Sequence, residues 1–298
     1  MPSKQVVLLS GSSTGFGRLI AETLARHGHA VFATMRDPAV RNAANASELR
    51  TLAGTESLAL KVLEMDVTDE NSVERAVHDC INQAGRIDVA INNAGYGIVG
   101  LAEATTLDQA RQLMDTNFLG SVRVNRAVLP FMRKQRSGLL LHVSSVAGRV
   151  TLPGWSIYCA SKFAIEAFAE AYGYELAGQG IESCILQPGA YQTAVFGNMV
   201  TSADHARGET YGPAAQIPDR ISAALSSSGG DAQEVADAVL SIVETPAGQR
   251  QLRYRVSTVD PGVDPINALC AEVQARVLDR FGVTAETTFT QQRAANAD

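Results

Sequence analysis

Short apolar runs alternate with longer amphipathic segments along most of this chain. The runs are continuously apolar, which is typical of strands that are buried on both faces of a parallel sheet. Parallel strands need crossover connections of about a dozen residues or more, and the amphipathic segments are long enough to supply these connections as helices. The pattern therefore predicts an α/β fold, in which a doubly wound parallel sheet of about seven strands carries helices on both faces.

The runs also give the positions of the expected elements. Strands are predicted at residues 5–10, 30–35, 58–63, 89–91, 139–143, 182–186 and 252–256. Helices are predicted at residues 15–27, 70–84, 109–133, 157–177 and 232–243, with Thr68 or Asp69 as the N-cap of the second. Residues 189–230 are predicted to form one long functional loop, and residues 261–298 a C-terminal extension with an amphipathic stretch at 266–278.

Composition excludes several classes of protein. The 298 residues are 46% hydrophobic and 19% charged, which is enough apolar material for one domain spanning residues 1–298. A net charge of −6 without a basic stripe argues against a nucleic-acid partner. No apolar run approaches the roughly 18 residues of a membrane span, and the N-terminus lacks the features of a signal peptide. The four cysteines form no CxxC pair and the five histidines show no ligand spacing, so we expect a cytoplasmic protein without a metal.

The first predicted strand ends in a turn that is rich in glycine. Gly11, Gly15 and Gly17 have the spacing G-x-x-x-G-x-G, and Ser13 and Thr14 add hydroxyl groups. A tight turn of this kind lets the backbone approach a pyrophosphate, and the helix that follows offers free N–H groups at the positive end of its dipole. The alternative is an ordinary strand–helix turn, but the position between the first strand and a helix favours dinucleotide binding.

The residue at the end of the second strand bears on the choice between NAD and NADP. An acidic side chain there would accept a hydrogen bond from the ribose 2′-hydroxyl and repel a 2′-phosphate. Met35 occupies that place and Arg36 follows it, so the sequence favours NADP(H), with NAD(H) still possible. Two alternatives stay open: Arg36 could be simply solvated, and a slip of one residue would put Asp37 in the place of the acid.

Tyr158 and Lys162 stand four residues apart in a predicted helix, on one face. A phenol titrates near pH ~10, which is too high for an efficient acid–base catalyst. An ammonium group ~4 Å away could lower that pKa by up to ~3 units. The alternative is a tyrosine and a lysine that lie together on a helix surface.

Two further polar residues are candidates for the same site. Ser145 follows the fifth predicted strand, where open α/β sheets bind ligands, and could hydrogen-bond a substrate carbonyl or hydroxyl group. Ser144 is its neighbouring alternative, and either serine could instead cap a turn. Asn117 lies in an apolar helical stretch, where an amide is usually a satisfied core group.

Taken together, these motifs resemble the classical short-chain dehydrogenase/reductases. The matching features span about residues 5–260: the glycine turn, Asp66 and Val67, NNAG at 92–95, Asn117, Ser145, the Tyr-x-x-x-Lys pair and PGAYQT at 188–193. Ser10 stands where the family usually has threonine. The segments VFATMRDP, PGAYQT and LRYRVSTVD most resemble the branch that includes hydroxysteroid and retinol dehydrogenases, and the chain extends some 40 residues past the usual core.

The resemblance implies a role for each matching residue. Tyr158 would be the general acid–base, Lys162 would bind the nicotinamide ribose and lower the tyrosine pKa, Ser145 would position the reacting oxygen, and Asn117 would anchor a water of a proton relay. The cofactor would contact Gly11, Ser13, Thr14, Gly15, Phe16, Gly17, Arg36, Asp66, Val67, Asn93, Ala94, Gly95, Tyr158, Lys162, Pro188, Gly189 and Thr193. The fold implied is a Rossmann fold, and the family's pairing of the helices at 109–133 and 157–177 implies a homodimer or homotetramer.

The substrate is expected to be a hydrophobic ketone or secondary alcohol. Apolar side chains of the 189–230 lid, Tyr191 and Phe196 among them, together with Trp155, Ser145 and Tyr158, would form its pocket, although they could also merely pack the loop. A non-catalytic redox-sensing regulator that binds NAD(P) is the main alternative function, beside an NAD-preferring alcohol dehydrogenase. A nucleotide-sugar epimerase would share the Tyr-x-x-x-Lys pair, and a methyltransferase a glycine-rich turn.

Overall fold

A computed structural model describes residues 3–191, 199–227, 230–257 and 262–289. Its strands are short, as expected for buried parallel strands. They are β1 (Val6–Leu9), β2 (Ala30–Met35), β3 (Leu60–Glu64), β4 (Val89–Asn92), β5 (Ile98–Val99), β6 (Gly138–Val143), β7 (Ile181–Pro188), β8 (Val200–Thr201) and β9 (Arg253–Val256). All pairings between these strands are parallel.

Helices lie in the connections between these strands, and the last two helices follow β9. The helices are α1 (Gly15–Arg26), α2 (Ala43–Thr55), α3 (Glu70–Ala84), α4 (Leu107–Met114), α5 (Gly120–Gln135), α6 (Ser156–Glu175), α7 (His205–Glu209), α8 (Ile217–Ser227), α9 (Gln233–Glu244), α10 (Asp264–Phe281) and α11 (Thr284–Thr287). Asp69 is the N-cap of α3, because its side chain accepts a hydrogen bond from the Asn71 N–H.

Seven strands form one sheet in the order β3-β2-β1-β4-β6-β7-β9. The order reverses between β1 and β4, so the carboxyl ends of these two strands open a crevice where the connections diverge. The predicted doubly wound sheet is confirmed, and the crevice is where a dinucleotide would lie.

Apolar side chains cover both faces of the sheet, which explains why the strands are continuously apolar. Along β1, Val7 and Leu9 pack on the face that α1, α2 and α9 cover. Leu8 points to the opposite face and packs against side chains of α3 and α5. Since side chains alternate along a strand, each strand needs apolar residues at every position.

The predicted helix at residues 109–133 is helical throughout, but its α-helical pattern is interrupted. The chain forms α4, a π-helical turn over Asp115–Leu119, and α5 without a break. A π-helical turn adds one residue to the helical spiral and is often found at functional sites. Here it contains Asn117, whose buried side chain bonds outside its own helix.

Two segments contain more regular structure than predicted. Helix α2 was not expected, because only Ala46 and Leu49 of its residues are buried and its apolar periodicity is sparse. The predicted long loop at 189–230 is also wrong, since β8, α7 and α8 lie within it. Strand β8 pairs with β5 outside the main sheet, which ties this segment to the crevice.

The buried imidazole of His142 leads to a prediction about acid stability. Burial lowers the pKa of His142 to about 3, compared with 6.5 for an unperturbed histidine. The unfolded chain therefore binds a proton between these pH values that the folded chain does not, so stability falls as the pH drops below about 6.5. We expect His142 to lower the free energy of unfolding by about 2 kcal/mol at pH 5 relative to pH 7.5.

Urea denaturation at the two pH values measures this effect. The variant His142→Asn should lose that part of the pH dependence, whereas His205→Asn, at an exposed position on α7, should keep it. The same dependence in His142→Asn as in the parent chain would contradict a neutral buried imidazole.

Candidate active site

A cavity of about 850 Å³ lies at the carboxyl ends of the central strands. The glycine turn after β1, the end of β2, the NNAG segment after β4, the serines after β6 and the start of α6 all contribute to its wall. The predicted site residues that line the cavity are Gly11, Ser13, Thr14, Phe16, Gly17, Arg36, Val67, Asn93, Ala94, Gly95, Ser145, Trp155, Tyr158, Lys162, Pro188, Gly189 and Tyr191. Residues that are distant in sequence therefore form one site.

The glycine turn is in close contact with the NNAG segment. Gly11 has a φ of +70°, and a Cβ atom there would lie 2.7 Å from the Ala94 Cα. At Gly17, a Cβ atom would lie only 2.1 Å from the Gly11 carbonyl oxygen. Thr14 precedes α1 in extended conformation without a side-chain cap bond, so in this described segment the first N–H groups of the helix stay available. Gly15 begins α1 but is not among the residues that line the cavity.

Ser10 holds the two loops together, a role that the sequence did not indicate. Its hydroxyl oxygen accepts hydrogen bonds from the N–H groups of Asn93 at 2.9 Å and Ala94 at 3.0 Å, and the hydroxyl donates to the Ile91 carbonyl. The Asn93 amide in turn donates to the carbonyl oxygens of Ser10 and Gly11. The side chain of Asn93 thus supports the glycine turn. The only sequence signal was the position of Ser10 at the start of the motif.

Removing this hydroxyl group should destabilise the site. In Ser10→Ala, two part-buried N–H groups lose their acceptor, and we expect the free energy of unfolding to fall by about 1–3 kcal/mol. Urea denaturation measures the change. Ser10→Thr keeps the hydroxyl group and should lose less stability than Ser10→Ala. Equal stability of Ser10→Ala and the parent chain would show that the hydroxyl does not hold the loops together.

The end of β2 presents arginine to the cavity and directs the neighbouring acid elsewhere. Met35 is buried and Arg36 is exposed along the cavity wall. Asp37 accepts hydrogen bonds from the N–H groups of Val40 and Arg41, one to each carboxylate oxygen, at 3.1 Å. Its carboxylate therefore caps its own turn. Arg41 also lines the cavity, next to the first residues of α2.

Of the neighbouring residues Asp66 and Val67, only Val67 lines the cavity. Val67 is buried in the cavity wall. Asp66 is not among the residues that line the cavity, and one of its carboxylate oxygens accepts hydrogen bonds from the N–H and the hydroxyl group of Thr68. The carboxylate thus stabilises the turn after β3.

Asn117 is fully buried and its amide is satisfied by protein groups. Its Oδ1 accepts a hydrogen bond from the Tyr96 N–H at 3.0 Å, and its Nδ2 donates to the Tyr96 carbonyl at 3.0 Å and to the Ser161 hydroxyl at 3.1 Å. Ser161 donates to the Tyr158 carbonyl at 2.7 Å. Asn117 therefore joins the segment after NNAG to the first turns of α6.

The hydroxyl groups of Ser145 and Tyr158 meet in the cavity. Ser145 lies just beyond β6, and its Oγ also accepts the Ala147 N–H at 3.1 Å, so it caps a turn as well. Burial raises the pKa of Tyr158 to about 12, although a hydrogen bond with Ser145 lowers it. The phenol is therefore protonated at neutral pH. Ser144 is buried beside them, and its hydroxyl has no partner within the described part of the chain.

Lys162 lies one helical turn beyond Tyr158 and is nearly fully buried. Its ammonium group donates to the Val143 carbonyl at 2.8 Å and lies 5.7 Å from the centre of the Tyr158 ring. Burial lowers the pKa of Lys162 to about 8, opposed by the negative charge of Glu166. The predicted lowering of the Tyr158 pKa is thus wrong for the chain by itself, because burial outweighs the hydrogen bond with Ser145.

The expected substrate residues occupy different parts of the cavity. Trp155 packs edge-on against Tyr158, with 5.6 Å between ring centres. Tyr191 packs edge-on against Phe16 of the glycine turn and donates its hydroxyl to Glu234, so its polar end is already occupied. Phe196 and Thr193 lie outside the described residues. Met199, which lies on the same side of Gly97 as Trp155, adds another apolar side chain to the cavity wall.

The comparison with protein families agrees with this geometry. The family model for short chain dehydrogenases matches residues 5–204, which is more than half of the chain and includes the glycine turn, Ser145 and the Tyr-x-x-x-Lys pair. The chain belongs to the short-chain dehydrogenase family. The predicted family is therefore confirmed.

Relatives of this short-chain dehydrogenase extend the match to its full length. It is 38% identical over 207 residues to 3-ketodihydrosphingosine reductase of Bacteroides thetaiotaomicron, covering 70% of this chain and 71% of the relative. It is 32% identical to human retinol dehydrogenase 8, and the match covers 93% of this chain and 91% of the relative. The crystal structure of a short-chain dehydrogenase from Streptomyces avermitilis aligns with a TM-score of 0.75 at 30% identity, covering 97% of this chain and all of the other.

Family membership establishes the reaction class. This short-chain dehydrogenase is an NAD(P)-dependent oxidoreductase that acts on CH–OH or C=O groups. Among the described residues, no group of three or more histidine, cysteine or acidic side chains is placed to hold a metal. No helix in the described part of the chain is both long and apolar enough to cross a membrane.

Proposed function

We propose that this short-chain dehydrogenase transfers a hydride between NADP(H) and the carbonyl or carbinol carbon of a hydrophobic substrate. The observation that carries the proposal is the meeting of Ser145, Tyr158 and Lys162 in the same cavity as the glycine turn. A bound nicotinamide cofactor would supply or accept the hydride. The protein would contribute orientation and a proton at the Tyr158 hydroxyl.

Each polar group has a distinct part in this proposal. Tyr158 exchanges the proton with the substrate oxygen, and Ser145 hydrogen-bonds both that oxygen and the phenol. Lys162 would bind the hydroxyl groups of the nicotinamide ribose. Asn117 acts as a positioning residue, because it bonds to the Tyr96 backbone and to Ser161 beneath Tyr158. Its satisfied amide favours this role over direct anchoring of a water.

The charges around β2 support a preference for NADP(H). Arg36 and Arg41 line the cavity at the start of α2, and both can donate hydrogen bonds to a 2′-phosphate. The N-terminus of α2 adds a favourable dipole for a negative charge. Asp37 is not among the residues that line the cavity, and its carboxylate bonds within its own turn, so it is poorly placed to accept a hydrogen bond from a 2′-hydroxyl group.

The substrate end of the cavity supports an apolar ligand. Leu152, Trp155, Met199 and Leu225 line it near Tyr158, and apolar walls favour a substrate that loses little hydration on binding. The names of two relatives also favour an apolar substrate, since dihydrosphingosine and retinol both carry long hydrocarbon parts. We therefore propose a ketone or secondary alcohol on a largely hydrocarbon molecule.

The protonation states favour carbonyl reduction at neutral pH. A phenol with a pKa near 12 carries the proton that reduction needs, whereas oxidation needs the phenolate. Reduction should weaken as the pH rises through about 8, where Lys162 loses its charge. Oxidation should become relatively more favourable above that pH.

Two further predictions about the protein are retained as proposals. We infer a homodimer or homotetramer, and exposed Leu119 and Phe163 on the π-helical turn and α6 provide apolar area for such an interface. Sedimentation showing only monomers at working concentration would contradict it.

We also propose a cytoplasmic location, because the four cysteines of the sequence form no CxxC pair.

The proposed reaction can be tested by absorbance at the nicotinamide band. Purified protein would be offered NADPH or NADH with a panel of aliphatic, steroid-like and retinoid-like ketones, and the oxidised cofactors with the matching alcohols. Turnover with apolar substrates and faster reaction with NADPH would support the proposal. Activity confined to sugars or charged acids would contradict it, and binding of cofactor without any turnover would favour a redox-sensing regulator.

A further inference from the structure

A chain of buried and part-buried polar side chains leads from the C-terminal helix to the helix that carries Lys162. It begins at Asn267 of α10, which lies in the extension beyond the sheet. The Asn267 Nδ2 donates to the Gln187 Oε1 at 2.8 Å, and its Oδ1 accepts from the Arg149 Nε at 2.8 Å. Gln187 is the fully buried penultimate residue of β7, and its Nε2 donates to Glu166 at 2.9 Å.

Glu166 is the member of this chain that lies one helical turn from Lys162. It follows Lys162 by four residues on α6, so the two side chains share one face of the helix. Only 2% of Glu166 and 6% of Lys162 is exposed. A buried carboxylate and a buried ammonium at this spacing interact far more strongly than an exposed pair would.

The carboxylate of Glu166 is held from a second side by the edge strand. Arg253 of β9 donates from its Nε to the Glu166 Oε2 at 2.9 Å, and from its Nη2 to Glu170 at 2.5 Å. Gln187 and Arg253 thus donate hydrogen bonds to different carboxylate oxygens of Glu166. A carboxylate with both oxygens bonded keeps its position and its negative charge.

The surroundings of the ammonium group contain few other charges. From β6 it meets the Val143 carbonyl, and from its own helix it faces the Tyr158 ring. Arg253, from β9, is paired with the carboxylates of α6. Glu166 is the charged group that raises the Lys162 pKa against the effect of burial.

We propose that Glu166 is a positioning residue for Lys162, whose ammonium it keeps charged. Gln187 and Asn267 hold the Glu166 carboxylate in place, and Arg253 holds it as well while cancelling part of its charge. This inference deepens the proposed function, since it assumes that Lys162 acts as a cation in the site. It also gives the C-terminal extension a structural role, because α10 supplies Asn267, which orients the amide of Gln187 toward Glu166.

The inference can be tested on the titration of Lys162 itself. The chain contains four lysines, so protein labelled with carbon-13 at the lysine ε-carbon should show four signals, and the one lost in Lys162→Arg is that of Lys162. In Glu166→Gln we expect the acid dissociation constant of Lys162 to rise about tenfold or more, which moves its titration to lower pH. The alkaline limb of kcat/KM for reduction should move in the same direction.

Glu170→Gln is the matched control. It removes an equal charge from the same helix and a bond to the same arginine, but Glu170 lies a further turn from Lys162. We expect its Lys162 titration to match that of the parent chain. Equal shifts in the two variants, or no shift in folded Glu166→Gln, would overturn the inference.

A third variant covers the case in which Glu166→Gln does not fold. Arg253→Gln removes the cation that partly neutralises Glu166, so the Lys162 titration should move to higher pH. A shift to lower pH, or none, would overturn the inference. These titrations are measured without cofactor or substrate, so they decide the role of Glu166 even if the protein shows no turnover.

Discussion

Replacing Tyr158 by phenylalanine should reduce turnover by about 10²- to 10⁴-fold, the usual contribution of a positioned acid–base group. The change removes one hydroxyl group, which hydrogen-bonds with Ser145 at the point where a substrate oxygen would sit. The ring remains packed against Trp155, so the cavity should keep its shape. Initial rates of NADPH oxidation at saturating ketone measure the loss.

The binding of cofactor and a second tyrosine provide controls for this experiment. Cofactor affinity, followed by fluorescence titration, should change far less than the rate in Tyr158→Phe, because the phenol is one of many expected cofactor contacts but the proposed proton donor. Tyr172→Phe makes the same chemical change on α6, in a half-buried position that lies outside the cavity. Its rate should equal that of the parent chain. A Tyr158→Phe variant that turns over normally would exclude this tyrosine as the proton donor.

Replacing Arg36 by alanine should change cofactor preference by about 10- to 100-fold. A hydrogen bond to a charged group contributes about 1.5–3 kcal/mol, and the 2′-phosphate of NADPH would lose one or two such bonds. We therefore expect kcat/KM for NADPH to fall by that factor while the value for NADH stays nearly constant. Parallel rate measurements with the two cofactors give the ratio directly.

A control must distinguish the effect of removing the Arg36 charge at the cavity from the effect of changing the net charge of the protein. Arg50→Ala removes the same side chain from an exposed position on α2 that does not line the cavity, and should leave the preference unchanged. The effect of Arg36→Ala should also shrink at high salt, where the interaction between exposed charges is screened. Equal losses with NADPH and NADH would mean that Arg36 does not contact the 2′-phosphate.

The cofactor half of the site was largely predictable because its signals are local. A glycine turn between a strand and a helix has few other structural uses, and Gly11 and Gly17 do lie where a side chain would collide with the backbone. Arg36 could be placed from the end of β2 alone. The predicted end of that strand at residue 35 agrees with the structure.

The polar partners of the site were not predictable, because they come from distant parts of the chain. Ser10 bonds to N–H groups more than 80 residues away, which no spacing in the sequence reveals. Asn117 looks like part of a regular helix in sequence, but the π-helical turn sets its direction. Such pairings depend on how the loops meet at the ends of the strands.

The sequence by itself determined the layered architecture, the family and the residue types of the site, since periodicity and motif spacing are properties of neighbouring residues. Only the tertiary structure decided the electrostatic state of those residues. Tyr158 and Lys162 differ from the expected pair because burial removes water from both, which raises the tyrosine pKa and lowers that of the lysine. Desolvation depends on every element that packs around a group, so the packed fold alone determines it.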